Sequence, residues 1–394
     1  MKKVMKKISD YFLILFFILF ISLGVYVLIK TPKELTYLEN RNLNKFQVFN
    51  IKSFLDGSFQ DNLENAYLDQ FIGSESIKGI MLNKLSLSKK TMNYNKICNN
   101  SYVKISGEYY TYDCDQRIIN APYDLKPNTV EYIQKLGEKY STLHDDVDVY
   151  YYYVTTPSNF NLNTNKMEIN IPDLVNKYWN NKYHFDYLKI NNYEDIKKYF
   201  YTSDHHLNHI GSYKMYQDIM KMFNVNDLIK PIDEVTFDFK FTGSSSKASM
   251  FYDYDTNFKV YKFDLPKHNT YINGTLSEYG NEENYLNNIY SQSSMTNHYG
   301  VFYGGDAAEV LFDFNNSNKD NLLIISNSYS NAVNKLIASH FNKTYDIDLR
   351  TYYGAYNEIP DMDKYINEYG VDKVLVIMDY FFLKNDMSIS WEEL

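Results

Sequence analysis

The sequence predicts an α/β protein, with a mostly parallel sheet flanked by helices and one transmembrane helix ahead of it. Three observations lead there. Strongly β-prone or apolar runs at residues 147–156, 321–326 and 373–378 read as strands, the last two covered on both faces. They alternate with segments of helical spacing at 129–143, 330–341 and 362–369, the signature of an α/β sheet. Residues 11–29 carry no charge and, at a rise of about 1.5 Å each, match a hydrocarbon core of about 30 Å.

In chain order, Lys2, Lys3, Lys6 and Lys7 precede the apolar run, which places the N-terminus in the cytoplasm and the remainder outside. A cleaved signal peptide competes, but the run is long for one and no small-x-small site follows. Residues 1–30 are therefore expected to be an uncleaved single-pass anchor. Residues 31–95 form a membrane-proximal region whose Phe54, Leu55, Phe59, Leu63, Tyr67, Leu68 and Phe71 recur at helical spacing, interrupted at Gly57 and Gly73. The rest, 96–394, is one large domain. Within it Cys98 and Cys114 bracket a hairpin turning at Ser106 and Gly107, and they either pair in an oxidising compartment or stay as thiols. Asn128 caps the helix at 129–143. Residues 232–300 lapse into aromatic runs and Gly/Ser turns, read as an insertion of loops and small strands.

Composition excludes some functions. A hydrophobic content of 44% supports a packed core, not a disordered chain. The formal charge of -9 argues against nucleic acid, which demands a basic face. It also suits a neutral glycan better than an acidic one. The 41 tyrosines fit a sugar-stacking surface or simply an AT-rich genome.

The chemistry concentrates in two stretches. The first, Tyr201-Thr-Ser-Asp204-His205-His206-Leu-Asn-His209, precedes a helix expected over 212–223. The second, Leu322-Leu-Ile-Ile-Ser326-Asn327-Ser328-Tyr329-Ser330-Asn331, puts a serine at the exit of a buried strand. Serine is a weak nucleophile that requires a base, and the base requires a group that fixes its tautomer. The Asp-x-His spacing sets Asp204 to hold His206, and His206 to take the proton of Ser328. A helix beginning near Asn331 would point its backbone N–H groups at a developing oxyanion. Ser326 and Ser330 lie in poorer registers, and His205 is structural or substrate-facing.

A metal reading competes, with His205 and His209 at i, i+4 and Asp204 as a third ligand. No Glu adjoins either histidine as a metalloprotease base, and the segment reads as a loop entering a helix. No metal is expected. The Asp-His-His string also occurs in manganese phosphoesterases, but the further Asp clusters those require are missing from this sequence.

These residues resemble the DHHW-motif family, which is similar to the alginate O-acetyltransferases of the SGNH hydrolase superfamily. The resemblance runs through Leu38-Glu-Asn-Arg-Asn-Leu43, Leu68-Asp-Gln-Phe71, Thr202-Ser-Asp-His-His206 with Gly211, Tyr303-Gly304-Gly305-Asp306, the serine block and Tyr345-Asp-Ile-Asp-Leu-Arg350. It implies an SGNH-hydrolase-like, flavodoxin-type domain in permuted order, with Asp204, His206 and Ser328 as the triad. Tyr329, Ser330, Asn331, Gly304, Gly305, Asp306, Arg350 and His205 are the candidate substrate or oxyanion groups, while a tight turn and a structural ion pair explain Gly304, Gly305, Asp306, Asn331 and Arg350 equally well. Two positions depart from the motif. Leu207 stands where the family has Trp, which would remove an aromatic wall, and Asn327 replaces an Asp before the serine.

The expected activity is O-acetyl transfer to an extracytoplasmic polysaccharide through an acetyl-enzyme. No cofactor is expected, and the resemblance implies an acetyl group delivered by a donor or by a multi-pass membrane O-acyltransferase. An esterase using the same triad, and a non-catalytic glycan-binding or assembly protein, are the alternatives.

Overall fold

A computed structural model describes residues 2–36, 41–71, 76–81, 84, 103–105, 108–112, 117–120, 129–143, 147–161, 166–167, 170–179, 183–249, 256–277 and 297–383. Gly73, Cys98, Ser106, Gly107, Cys114 and Asn128 lie outside the described residues. The chain divides into two compact units, Met1–Thr91 and Met92–Leu394.

In the first unit the apolar run lies in one helix, α1 (Lys2–Ile29). Its Tyr11–Ile29 stretch has a mean hydropathy of 3.0 and is long and apolar enough to cross a membrane. Helices α2 (Ile51–Leu55) and α3 (Ser58–Gln70) are split at Gly57, whose φ of 88° is open to glycine at little cost. Asp69 and Gln70, at the end of α3, are buried. Gln70 binds the Lys33 amide at 2.8 Å and the Lys33 carbonyl at 2.9 Å, and Asp69 accepts from the Asn44 amide at 3.0 Å. Buried polar groups need such partners, so these residues of the family-like motifs are structural ties within this unit.

The second unit is built on an eight-stranded sheet. Its strands are β1 (Asp148–Tyr153), β2 (His184–Tyr187), β3 (Asn269–Ile272), β4 (Thr275–Leu276), β5 (Glu309–Asp313), β6 (Leu322–Ser326), β7 (Lys343–Asp348) and β8 (Lys373–Met378). They lie in the order β4-β3-β5-β7-β6-β8-β1-β2. The five strands from β7 to β2 are mutually parallel, and β5, β3 and β4 extend the β7 edge in antiparallel fashion. Counted along the chain, the parallel strands stand as 2-1-5-3-4, a permutation of the doubly wound 2-1-3-4-5 order. The expectation of a mostly parallel sheet flanked by helices holds. The antiparallel edge was not foreseen, because β3 and β4 lie in the stretch read as an insertion.

Strand alternation divides two cores. Tyr150, Tyr152, Ile324, Leu375 and Ile377 face α7 (His209–Met222) through Met215, Tyr216 and Ile219. Val149, Tyr151, Tyr153, Ile325 and Val376 face α4 (Thr129–Leu143) and α5 (Ile171–Trp179) through Ile133 and Trp179. A third cluster belongs to the expected insertion. There the hairpin of Asp233–Phe241 and Thr256–Lys262 packs Phe237, Phe241 and Phe258 with Tyr299 and Phe302 of α8 (His298–Tyr303) around Tyr201.

Element ends differ from the sequence reading in two instructive places. Helix α7 begins at His209, three residues early, because Asn208 Oδ1 accepts from both the Ile210 and Gly211 amides at 3.0 Å. After the serine block, residues expected as a helix from 330 form turns, and only α9 (Asn334–Ala338) is helical. Ser330 and Asn334 turn their side chains onto Asp346, at 3.0 and 2.8 Å. Such side-chain bonds compete with helix formation. Residues Lys364–Glu368, within the helix expected at 362–369, take a wider π form.

Candidate active site

The parallel strands end at one edge of the sheet, where open α/β folds collect their functional groups. Ser328 follows the last residue of β6 by two positions, and Asp379 follows β8 directly. The Asp-His block reaches this edge on a loop after α6 (Tyr193–Tyr199). An isolated bridge between Phe200 and Leu207 pinches the loop shut, and Tyr201 N donates to His206 O at 3.2 Å. Buried Arg117 clamps its start by donating to the carbonyls of Phe200 at 3.1 Å and Tyr201 at 2.7 Å.

The two stretches meet. His206 Nε2 lies 2.9 Å from Ser328 Oγ, and His206 Nδ1 lies 2.6 Å from Asp204 Oδ1. Asp204 Oδ1 also accepts from the His206 amide at 2.9 Å, and Oδ2 from the Ser244 amide at 2.6 Å. Burial by itself would raise the Asp204 pKa. The His206 ring, then His205 and the Ser244 amide, outweigh it and hold the carboxyl well below the usual range. Asp204 therefore stays ionised and fixes a proton on His206 Nδ1, leaving Nε2 to accept from Ser328. Chemically, this arrangement can deprotonate the serine and hold the resulting imidazolium.

Two supports escaped sequence reasoning. Ser244 comes from the turn that leaves the first strand of the hairpin, between its two strands, where a Cβ at Gly243 would stand 2.4 Å from Asp204 Cβ and 2.5 Å from Ser203 O. Only glycine lets that turn approach, and the Gly-Ser-Ser-Ser run after an aromatic strand was its sole signal. The second support is Tyr299. Its ring stacks on His206 at 3.9 Å with an interplanar angle of 11°, and its hydroxyl donates to Ser328 O at 2.9 Å.

The remaining sequence-derived residues separate into groups. Tyr329 is buried, with its hydroxyl on the His205 carbonyl at 3.0 Å. Ser330 is fully buried and shares Asp346 with Ser326 and Asn334, so its hydroxyl serves the turn and not a substrate. Burial pushes the Asp346 carboxyl up to about 6 despite those bonds. Asn331 Nδ2 donates to Asp306 at 2.9 Å, and Arg350 pairs with Asp306 and Asp348. Asp306 and Arg350 are exposed, yet near enough for their charges to act on His205. Gly304 and Gly305 turn the chain at φ 99° and 70°. With Asn331, Tyr213 and Tyr261 they line an adjoining cavity of about 60 Å³ that the Asp204–His206–Ser328 set does not line.

Both departures from the motif have structural accounts. Leu207 is buried in the main core and walls nothing, and Tyr299 supplies the aromatic face on His206. Asn327 donates Nδ2 to buried Asp379 at 3.0 Å and accepts from the Tyr329 amide at 3.1 Å. A carboxylate at 327 would face Asp379 with like charge.

Asp204, His205 and His206 offer ligand atoms within 4.8 Å of one another. Those atoms have other work: Nδ1 of His206 is on Asp204, Nε2 on Ser328, and His205 Nδ1 sits 2.6 Å from Ser244 Oγ. His209 is outside that cluster, with Nε2 at 3.3 Å from Glu234. The donor set fits an acid–base relay better than a metal.

Fold and geometry thus define a class, an α/β protein with a Ser-His-Asp relay at the carboxyl edge of its parallel strands. Among solved structures the chain shares its fold with a DHHW family protein from Eubacterium siraeum, at 19% identity and a TM-score of 0.55, over 73% of this chain and 98% of that one. It is likewise similar to Bacillus cereus PatB1 bearing a sulfonyl adduct, at 20% identity and a TM-score of 0.51, over 72% and 98% of the two chains. A weaker likeness, with a TM-score of 0.41 at 6% identity over 73% and 95%, is to the O-acetyltransferase domain of Pseudomonas putida AlgJ. No family model and no curated protein matches the sequence.

Proposed function

We propose that this chain is a membrane-anchored, extracytoplasmic polysaccharide O-acetyltransferase. The observation that carries the reading is the continuous relay from Asp204 through His206 to Ser328 Oγ, at 2.6 and 2.9 Å. Ser328 Oγ attacks the carbonyl carbon of an acetyl donor while its proton passes to His206 Nε2. The imidazolium then protonates the leaving group, and an acetyl-serine ester remains. A sugar hydroxyl next gives its proton to His206 and attacks that ester, releasing acetylated glycan and restoring the serine. Asp204 holds the ring and offsets its charge in both halves.

In this reading α1 is the anchor, with its N-terminal lysines in the cytoplasm and the large unit outside. The net charge of -9 favours a neutral glycan as acceptor. Asp306, Asn331 and Arg350 form the polar rim that would meet it, and no cofactor takes part. The donor would reach the site from a multi-pass membrane O-acyltransferase.

The test uses the full-length chain in detergent with an activated acetyl ester and neutral oligosaccharides. O-acetylated sugar formed by wild type but not by Ser328→Ala is the expected result. Release of acetate alone, unchanged by any sugar tried, would make the chain an esterase.

A further inference from the structure

We propose that Tyr299 is the positioning residue that aligns base with nucleophile, its side chain touching both the His206 ring and the Ser328 backbone. The inference rests on the reading of Ser328 and His206 given above.

Tyr299 touches both partners by different means. Its ring lies on the His206 imidazole at 3.9 Å and 11°, so the imidazole plane is set by a flat surface and not by the Asp204 bond alone. Its hydroxyl donates to the Ser328 carbonyl at 2.9 Å, so the turn carrying the nucleophile is tied to the same side chain. Tyr299 is itself held: it is 3% exposed, belongs to the aromatic cluster of the hairpin, and its ring lies 5.0 Å from that of Tyr303. A second tie runs the other way, from the Tyr329 hydroxyl in the serine segment to the His205 carbonyl at 3.0 Å. The two tyrosines thus cross-link the histidine and serine segments.

The stacked geometry also has an electrostatic consequence. When His206 takes the serine proton it becomes an imidazolium beneath the electron-rich face of a phenol ring, a cation–π contact. The contact favours the charged ring that forms as a neutral His206 takes the serine proton, so it lowers the barrier and does more than hold shape.

The experiment follows sulfonylation of the full-length chain by phenylmethanesulfonyl fluoride, as a function of pH. Ser328 Oγ forms a bond to sulfur, the sulfur–fluorine bond breaks, fluoride leaves, and the serine proton goes to His206. Tyr299→Leu is expected to slow modification by about tenfold and to move the acid limb of the rate profile to lower pH. Tyr299→Phe, which keeps the ring and loses the hydroxyl, is expected to leave the acid limb in place with a smaller loss of rate. Wild-type rate and profile in Tyr299→Leu, with its unfolding midpoint showing it folded, would overturn the proposal. So would an acid limb displaced equally in Tyr299→Phe and Tyr299→Leu. Absence of any Ser328 adduct in folded wild type would instead overturn the functional reading itself, and this inference with it.

Discussion

The amide of Ser244 donates to Asp204 Oδ2 at 2.6 Å, across forty residues of sequence, and orients the carboxylate that orients His206. The segment read from sequence as a mere insertion thereby becomes a support of the site. Its hairpin delivers Gly243 and Ser244 against the Asp-His loop.

That contact makes Gly243 sensitive out of proportion to its size. A methyl at Gly243 must displace Asp204 or the Ser203 carbonyl. Gly243→Ala is expected to cost about 1–3 kcal/mol of stability and on the order of 100-fold in Ser328 acylation. Thermal unfolding and adduct-formation rates check the two effects separately.

Asp204→Asn tests the tautomer argument. The amide keeps the shape but no longer demands a proton on His206 Nδ1, so Nε2 stops being a reliable acceptor. Acylation should fall by a factor on the order of 10⁴ while the fold survives. Rates over a range of pH would measure the loss.

The neighbouring serines separate by role. Ser330→Ala leaves one oxygen of buried Asp346 with fewer partners, at a cost of about 1–3 kcal/mol. It should retain acylation of Ser328. An adduct lost in Ser330→Ala but retained in Ser328→Ala would reverse the assignment.

Acid should destabilise the large unit through His298. Its burial, and then the charge of Lys247, push its pKa down from 6.5 to about 3. The unfolded state therefore binds this proton first. The contribution is complete above about 6.5 and is lost as pH falls through about 3. Asp346, raised from 3.8 to about 6, has the opposite sign: its contribution is complete below 3.8 and is lost as pH rises through about 6. His298→Phe, among the rings of Phe241 and Phe258, should flatten the fall in unfolding midpoint between pH 7 and 4.

How much of this was legible in the sequence follows from where each signal resides. The buried strands β6 and β8 announce themselves because both their faces are covered, so apolar residues run unbroken. The Asp204–His206 pair was visible because its geometry is local. Ser328 could be paired with them only through the resemblance and the strand-exit argument. Arg117 and Tyr299 were invisible, and Gly243 was marked only by the Gly-Ser run it opens, because their importance lies in contacts that only the tertiary fold creates. The helix after the serine was misplaced for a related reason: its residues have helical propensity, but Ser330 and Asn334 gain more by binding Asp346, which arrives from another strand.

The most direct test of the account is intact-mass analysis of the full-length chain after brief exposure to an activated acetyl ester. A single acetyl adduct on wild type, absent from Ser328→Ala and strongly reduced in His206→Ala, is the predicted result. An adduct persisting in Ser328→Ala, or none on folded wild type, would contradict the central claim.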